Sequence, residues 1–333
     1  MDVVDARVER IVESAGRAPS VHNTQPWRVR FDGSTLEVRA DPARQLRHTD
    51  PQGREMLISC GAFLFNARTA ARRESLRPRV RVLPDPADPG LVAVVDLDPG
   101  PGPETDELEL AVAIQRRVTS RVPFDDQPLD VDVLEALRAA ARDEGAGLRA
   151  VPASDPVREQ VLALVRRAEA LAAEDEVGVG EERAWTGGAR SARPDGIPRD
   201  LLGPAAAEEG APVRRFSARS GLVHFERRST MAVLTTPGDS PRDWVAAGQA
   251  LEHLLLVATT YFVHASFATT VLENPTTRHD LSTVLSLGAA PQMLMRLGYS
   301  ARPARTPRRP VDDLVREHRT SARPGGGRRP GDG

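Results

Sequence analysis

Apolar and polar positions alternate in two rhythms along the first hundred residues. Val4, Val8, Ile11, Val12 and Ala15 recur at helical spacing within residues 3–18, which predicts one amphipathic helix. Ala18-Pro19-Ser20 ends it, because proline breaks the helical hydrogen-bond ladder. Trp27–Phe31 and Leu36–Arg39 flank Asp32-Gly33 and predict a β-hairpin. Met56, Leu57, Cys60, Phe63, Leu64 and Ala67 make residues 53–73 a buried helix. Residues 80–82 and 91–97 read as strands across a Pro/Asp turn.

Asp98-Pro-Gly-Pro-Gly-Pro103 interrupts this order as a linker that neither helix nor strand is expected to tolerate. Helices are expected at 107–116, 130–142 and 155–174. Residues 175–228 lose periodicity and are rich in Gly, Pro, Ala and charge, the pattern of a lid-like insertion. Order resumes with a strand at 231–234, a helix at 244–261 that is apolar almost all round, and a strand at 265–272. The Gly/Pro/Arg run 321–333 is expected to be a disordered tail. The expected division is therefore 1–98, a linker 99–104, 105–320 carrying the insertion, and the tail. A faint internal echo links Cys60-Gly61-Ala62-Phe63-Leu64 to Ala247-Gly248-Gln249-Ala250-Leu251.

Composition narrows the chemistry. The 333 residues include no lysine, so all 45 Lys+Arg positions are arginine. Schiff-base catalysis and a Walker-type G-K-[ST] loop are excluded, and any anion must be held by Arg, His or backbone N–H. A formal charge of -2 offers no global attraction to nucleic acid. One cysteine cannot form an intramolecular disulfide or a multi-cysteine metal site. The seven histidines lack metal-ligand spacing, so no metal is expected. With no signal-like N-terminus and no apolar run of membrane length, a cytoplasmic protein without membrane or nucleic-acid partners is expected.

Two segments stand out. Ala18-Pro19-Ser20-Val21-His22-Asn23-Thr24-Gln25-Pro26-Trp27 crowds prolines and short polar side chains between a helix and a strand; by composition it reads equally as a capped loop. Arg116-Arg117-Val118-Thr119-Ser120-Arg121 offers bidentate forks and hydroxyls for an anion, or a solvated charged face. Arg305-Thr306-Pro307-Arg308-Arg309 forms a third cluster.

Together these motifs resemble the nitroreductase superfamily, most closely its Acg-type branch. A-P-S-x-x-N-x-Q-P-W is supplied by Ala18 to Trp27. R-x-[ST]-x-[RK] before an aromatic is matched by Arg117, Thr119, Arg121 and Phe124, and Asp50–Glu55 and Pro291–Tyr299 match further segments of the branch. The resemblance implies an α+β, three-layer α/β/α nitroreductase-like fold with two halves fused as an asymmetric pseudo-dimer, so a monomer is expected. It implies FMN as cofactor. Arg117, Thr119 and one or both of Arg308 and Arg309 would hold its phosphate, and Arg121 would sit beside the ring. Pro19, Ser20, Val21 and Asn23 would face the ring and ribityl chain, and the Glu273-Asn274 segment would lie near flavin N5. No G-x-G-x-x-G follows a strand, so NAD(P)H would act as a transient co-substrate over the flavin. The implied activity passes hydride from NAD(P)H through the flavin to a nitroaromatic, quinone or similar small acceptor, with no protein group named as catalytic. The alternative is an FMN-sequestering protein whose lid, 175–228, stays closed.

Overall fold

The computed structural model describes residues 6–207, 214–216, 221–301 and 304–315; Val4 and the tail 321–333 lie outside them. α1 (Ala6–Ala15) turns Val8, Ile11, Val12 and Ala15 inward. β1 (Trp27–Asp32) and β2 (Thr35–Ala40) form the expected hairpin, paired from Trp27↔Ala40 to Asp32↔Thr35. α2 (Arg54–Arg73) is buried nearly all round. β3 (Leu76–Val82) and β4 (Leu91–Pro99) complete the first half, and α3 (Thr105–Arg116) follows behind a capping box of Glu104 and Glu107. β4 runs through Asp98 and Pro99, so the linker begins later than the composition suggests. Pro99 ends the strand opposite Leu76, a terminal position where a missing N–H breaks little of the ladder.

The second half repeats the order. α4 (Val131–Asp143) leads into β5 (Gly147–Val151). An excursion follows: α5 (Arg158–Glu174), α6 (Glu176–Trp185), and the two-residue strands β6 (Ala205–Ala206) and β7 (Leu222–Val223), paired in parallel. β8 (Thr230–Thr236), α7 (Pro241–Thr260) and β9 (His264–Phe267) come next. Then come α8 (Thr270–Glu273), α9 (Pro275–Val284), β10 (Ala290–Gly298) and α10 (Val311–Leu314). The strand expected over 265–272 stops at Phe267, and the chain turns into α8. Thr277 and Asn274, which bond the ends of α8 and α9 together, impose that turn.

Both sheets are antiparallel, with orders β1-β2-β4-β3 and β5-β8-β10-β9. Counted within each sheet, both run first, second, fourth, third. Ala232, Leu234, Met293 and Met295 face the main core with α2 and α7. Met231, Val233 and Leu294 face a second core with Val161, Leu162 and Val165 of α5 and Leu281 of α9. The second sheet thus has helices on both faces. The first presents a polar outer face, where Arg81 pairs with Asp96 and Arg79 with Asp98. No described helix is long and apolar enough to cross a membrane.

The halves meet where α2 crosses α7, and two glycines set the distance. A Cβ on Gly61 would lie 2.2 Å from the Val245 carbonyl oxygen, and one on Gly248 would lie 2.0 Å from that of Ile58. These are the glycines of the sequence echo. Because backbone rather than a flexible tip blocks the added atom, Gly248→Ala forces the helices apart. It is expected to destabilise the protein by about 3 kcal/mol or more, read as a lowered thermal midpoint; an unchanged midpoint would mean that the helices part without cost.

Candidate functional site

A cleft between the two sheets holds roughly 750 Å³ of empty space, its open mouth included. Pro19, Ser20, Val21 and His22 line it from the turn after α1, and Glu55, Ile58 and Ser59 from α2. Across it stand Thr119–Arg121, Leu251 of α7 and the Ser266–Thr269 stretch at the end of β9. The first wall is backbone held in an unusual shape: His22, Asn23 and Gln25 have φ of 45°, 59° and 50°, conformations that bulky side chains adopt only under constraint. The opposite wall is fastened to β9, for Ser120 N–H donates to the Ala265 carbonyl at 2.8 Å and Thr119 bridges to Ala265.

A second hollow adjoins the first. Arg17, Arg117, Thr119, Arg121, Thr306 and Arg308 line it, with Thr119 and Arg121 shared between the two. Its charge is unbalanced. Arg117 meets Glu252 at 3.2 Å, both nearly fully buried. Burial and then the neighbouring Arg117 lower the Arg308 pKa to about 9, with Arg17 and Arg121 adding to the effect against one opposing carboxylate, Glu252. The Nε–H groups of Arg17 and Arg308 are buried without a hydrogen-bond partner among the described residues. Crowded cations and unspent donors are what an anion would satisfy. Burial holds the Glu252 carboxyl up at about 7, against the pull of Arg117 and Asn66.

The remaining expected site residues lie differently. Asn23 is buried; its amide donates to the carbonyls of Gly196 at 2.8 Å and Pro307 at 3.1 Å and accepts from Arg308 at 2.9 Å. It ties three segments together behind the cleft. Arg309 lies outside both hollows, and its guanidinium donates to the carbonyls of Gln25, Trp27 and Asp313. Glu273 reaches the cleft only through its ion pair with Arg214. Asn274 caps α9 by accepting from Thr276 and Thr277.

The insertion supplies side chains that motif reasoning did not reach. Ile197, Arg214 and Phe216 line the cleft. Arg214 is buried among Glu273, Glu169 and Glu55, which raise its pKa against desolvation. It also lies 3.2 Å from the His22 ring and from Thr269 Oγ1. Burial, then Arg214 and Arg121, keep His22 uncharged by lowering its pKa well below the usual range. The lid is latched outside the cleft as well. Asp195 pairs with Arg44 at 2.7 Å and with Arg193, which lies over Trp185. Gly196 N–H donates to the Asn23 carbonyl, and Glu181 accepts from the His48 and Thr49 backbone. Nothing in the composition of 175–228 singles out Arg214; only its partners do.

No family model matches the chain. Two curated relatives from Mycobacterium tuberculosis do. Rv3131, provisionally named an NAD(P)H nitroreductase, is 32% identical over 92% of this chain and 90% of its own length. The protein named acg, with the same provisional description, is 30% identical over 94% and 97%. The chain belongs to the nitroreductase family. Its similarity to acg agrees with the Acg-type branch suggested by the Ala18–Trp27 and Asp50–Glu55 segments. A solved Anabaena variabilis protein, provisionally named a nitroreductase, shares the fold with a TM-score of 0.55 at 12% identity, over 89% of this chain and 88% of that one.

In this chain the end of the insertion is anchored by a fully buried pair, Arg296 of β10 with Glu226. Glu226 also accepts from Phe124 N–H at 2.8 Å, and Arg296 lies over the Phe124 and Phe225 rings. Arg296→Met would leave Glu226 charged, buried and unpaired. It is expected to cost about 3–5 kcal/mol, measured by denaturant unfolding; a loss below about 1 kcal/mol would show that the pair contributes little.

Proposed function

We propose that the protein is an FMN-dependent NAD(P)H:acceptor oxidoreductase whose single flavin site lies in the paired hollows. The observation that carries this reading is the cluster of Arg17, Arg117, Arg121 and Arg308. It crowds guanidinium groups around two buried N–H donors, on Arg17 and Arg308, that have no hydrogen-bond partner among the described residues, next to a cleft of ring-accommodating size. Arg117, Thr119 and Arg308 would hold the phosphate, with Arg17 beside them. Pro19–Val21 and Thr119–Arg121 would flank the ring. When bound, FMN supplies hydride acceptance from a dihydronicotinamide and donation to a nitroaromatic, quinone or similar small molecule. The chain's own residues position the flavin, exclude water through Leu251, Ile197 and Phe216, and place a fixed cation, Arg121, in the cleft wall. The repeated strand order and the paired glycines support a fused pseudo-dimer that completes its site within one chain, hence a monomer.

A test of the phosphate assignment replaces Arg117 in a background where Glu252→Gln removes the acid that would be left unpaired. R117A/E252Q is expected to bind FMN about 10- to 100-fold more weakly than E252Q, the equivalent of ~1.5–3 kcal/mol for lost charge-assisted hydrogen bonds. Equal flavin affinity in the two, measured by fluorescence titration, would refute the assignment.

A second reading is favoured by Ile197, Arg214 and Phe216, which the latched lid sets into the cleft: an FMN-sequestering protein with little turnover. Asp195→Ala removes the lid's ion pairs to Arg44 and Arg193 without touching the cleft lining. Anaerobic NADPH is expected to bleach the flavin of D195A at least tenfold faster than wild type. Rapid bleaching of wild type with no gain in D195A would rule out a lid-limited enzyme; no bleaching of either would favour sequestration.

A further inference from the structure

Among the described residues, Glu55 is the one carboxylic residue lining the cleft; the other ionisable side chains on its wall are His22, Arg121 and Arg214. It sits at the start of α2, only 6% exposed. Its Oε1 accepts from Arg54 at 3.1 Å, and Arg54 is itself engaged by the Gln292 carbonyl at 2.7 Å. The cation nearest Glu55 in sequence is therefore shared, not dedicated to it. Three other charged groups act on it from neighbouring elements: Asp50 from the turn before α2, Glu273 from α8 and Arg214 from the lid. The two acids oppose its ionisation and the two arginines favour it. His22, uncharged, and Arg121 complete the cleft's titratable and charged wall.

Reduction of either kind of acceptor needs a proton as well as a hydride. A quinone carbonyl that gains a hydride becomes a hydroquinone only when its second oxygen or the anion formed is protonated. A nitro group that gains a hydride and one proton yields a nitroso group and water. Leu251, Ile197 and Phe216 make part of the cleft wall apolar, so an acid in that wall offers the acceptor a proton already in place.

Building on the oxidoreductase reading above, we propose that Glu55 is the proton donor to the electron acceptor. Its carboxylic O–H bond breaks as an O–H bond forms on the acceptor. The O–H electron pair stays on the carboxylate, and both reducing electrons arrive with the hydride from the flavin. Solvent reprotonates Glu55 when product leaves. Burial first, then the carboxylates of Glu273 and Asp50, pushes the Glu55 pKa up to about 8. A raised pKa keeps the acid form present below that value and loses it above, so the group is an acid at neutral pH.

The test uses the FMN-loaded protein, with Glu55→Gln and Glu55→Asp. Infrared difference spectra at pH 7 are expected to show a protonated-carboxyl C=O band that E55Q lacks and that wild type loses as pH rises through about 8. Oxidation of the pre-reduced protein by a benzoquinone is expected to be flat below pH 7 and to fall about tenfold per pH unit above 8. E55Q should be about 100-fold slower at pH 7, without a break near pH 8 and with the same FMN-to-protein ratio. E55D, which keeps an acid, should recover part of the rate and retain the band. An E55Q rate and pH profile equal to wild type, or a flavin-loaded wild type without the band, overturns the proposal alone. Protein that takes up no FMN overturns the functional reading and this proposal with it.

Discussion

The close approach of α2 and α7 at Gly61 and Gly248 is the constraint on which the site depends. With a Cβ at either position the carbonyls of Val245 and Ile58 would block the crossing, and a wider spacing would move one cleft wall away from the other. Glu55, Ile58 and Ser59 stand on one helix and Leu251 on the other, so the width of the hollow follows directly from the helix separation. The same register brings Arg117 of the second half against Arg17 of the first, where its guanidinium donates to the Arg17 carbonyl. Packing between halves is thus also the step that assembles the chemistry.

Electrostatics then divides the assembled site. One end gathers Arg17, Arg117, Arg121 and Arg308 near the buried carboxyl of Glu252. The other gathers Glu55, Glu169 and Glu273 around Arg214, with Arg54 also against Glu55. Burial amplifies both imbalances, because each charge loses water before it gains a partner. Arg308 and Glu55 respond in opposite senses, the one with a lowered pKa and the other with a raised one. A chain without lysine places a guanidinium at every cationic position of this arrangement. That group stays charged under burial better than an ammonium would, and it can satisfy several acceptors at once.

Much of this was legible in the sequence. The helices, the hairpin, the glycine echo, and Pro19, Ser20, Val21, Thr119 and Arg121 in the cleft wall all follow from local pattern or from the family motifs. Local pattern works there because backbone shape makes the wall: a Pro-Ser turn and an arm bound to β9 carry their geometry within a few residues. What escaped depends on partners far away in sequence. Arg309 has the same composition as Arg308, yet its guanidinium is spent on the carbonyls of Gln25, Trp27 and Asp313, while Arg308 turns into the hollow. Arg214 and Phe216 lie in a stretch with no periodicity. Glu55 sits in an apolar helix where an acid at the first turn reads as a helix-dipole partner; only the tertiary structure reveals its burial beside Glu273.

The helix register also sets the two grooves of the repeated fold apart. Gly61 and Ile58 match Gly248 and Val245, so Asn66 matches His253 and Phe65 matches Glu252. On one side of the helix pair, Glu252 lies beside Asn66, Arg117 and Arg308. On the other, Phe65 and His253 stack with centroids 4.8 Å apart. There Arg68 pairs with Glu144 and Arg72 with Glu107, two of the arginines that line the groove. Glu144 falls where the second half lacks the Pro-Ser turn of the first. An anion entering that groove would have to break existing ion pairs and displace a stacked ring, whereas beside Glu252 it would meet arginines that already repel one another. The asymmetry is therefore energetic as well as one of motif: internal charge pairs occupy one groove, while buried guanidinium groups crowd the other.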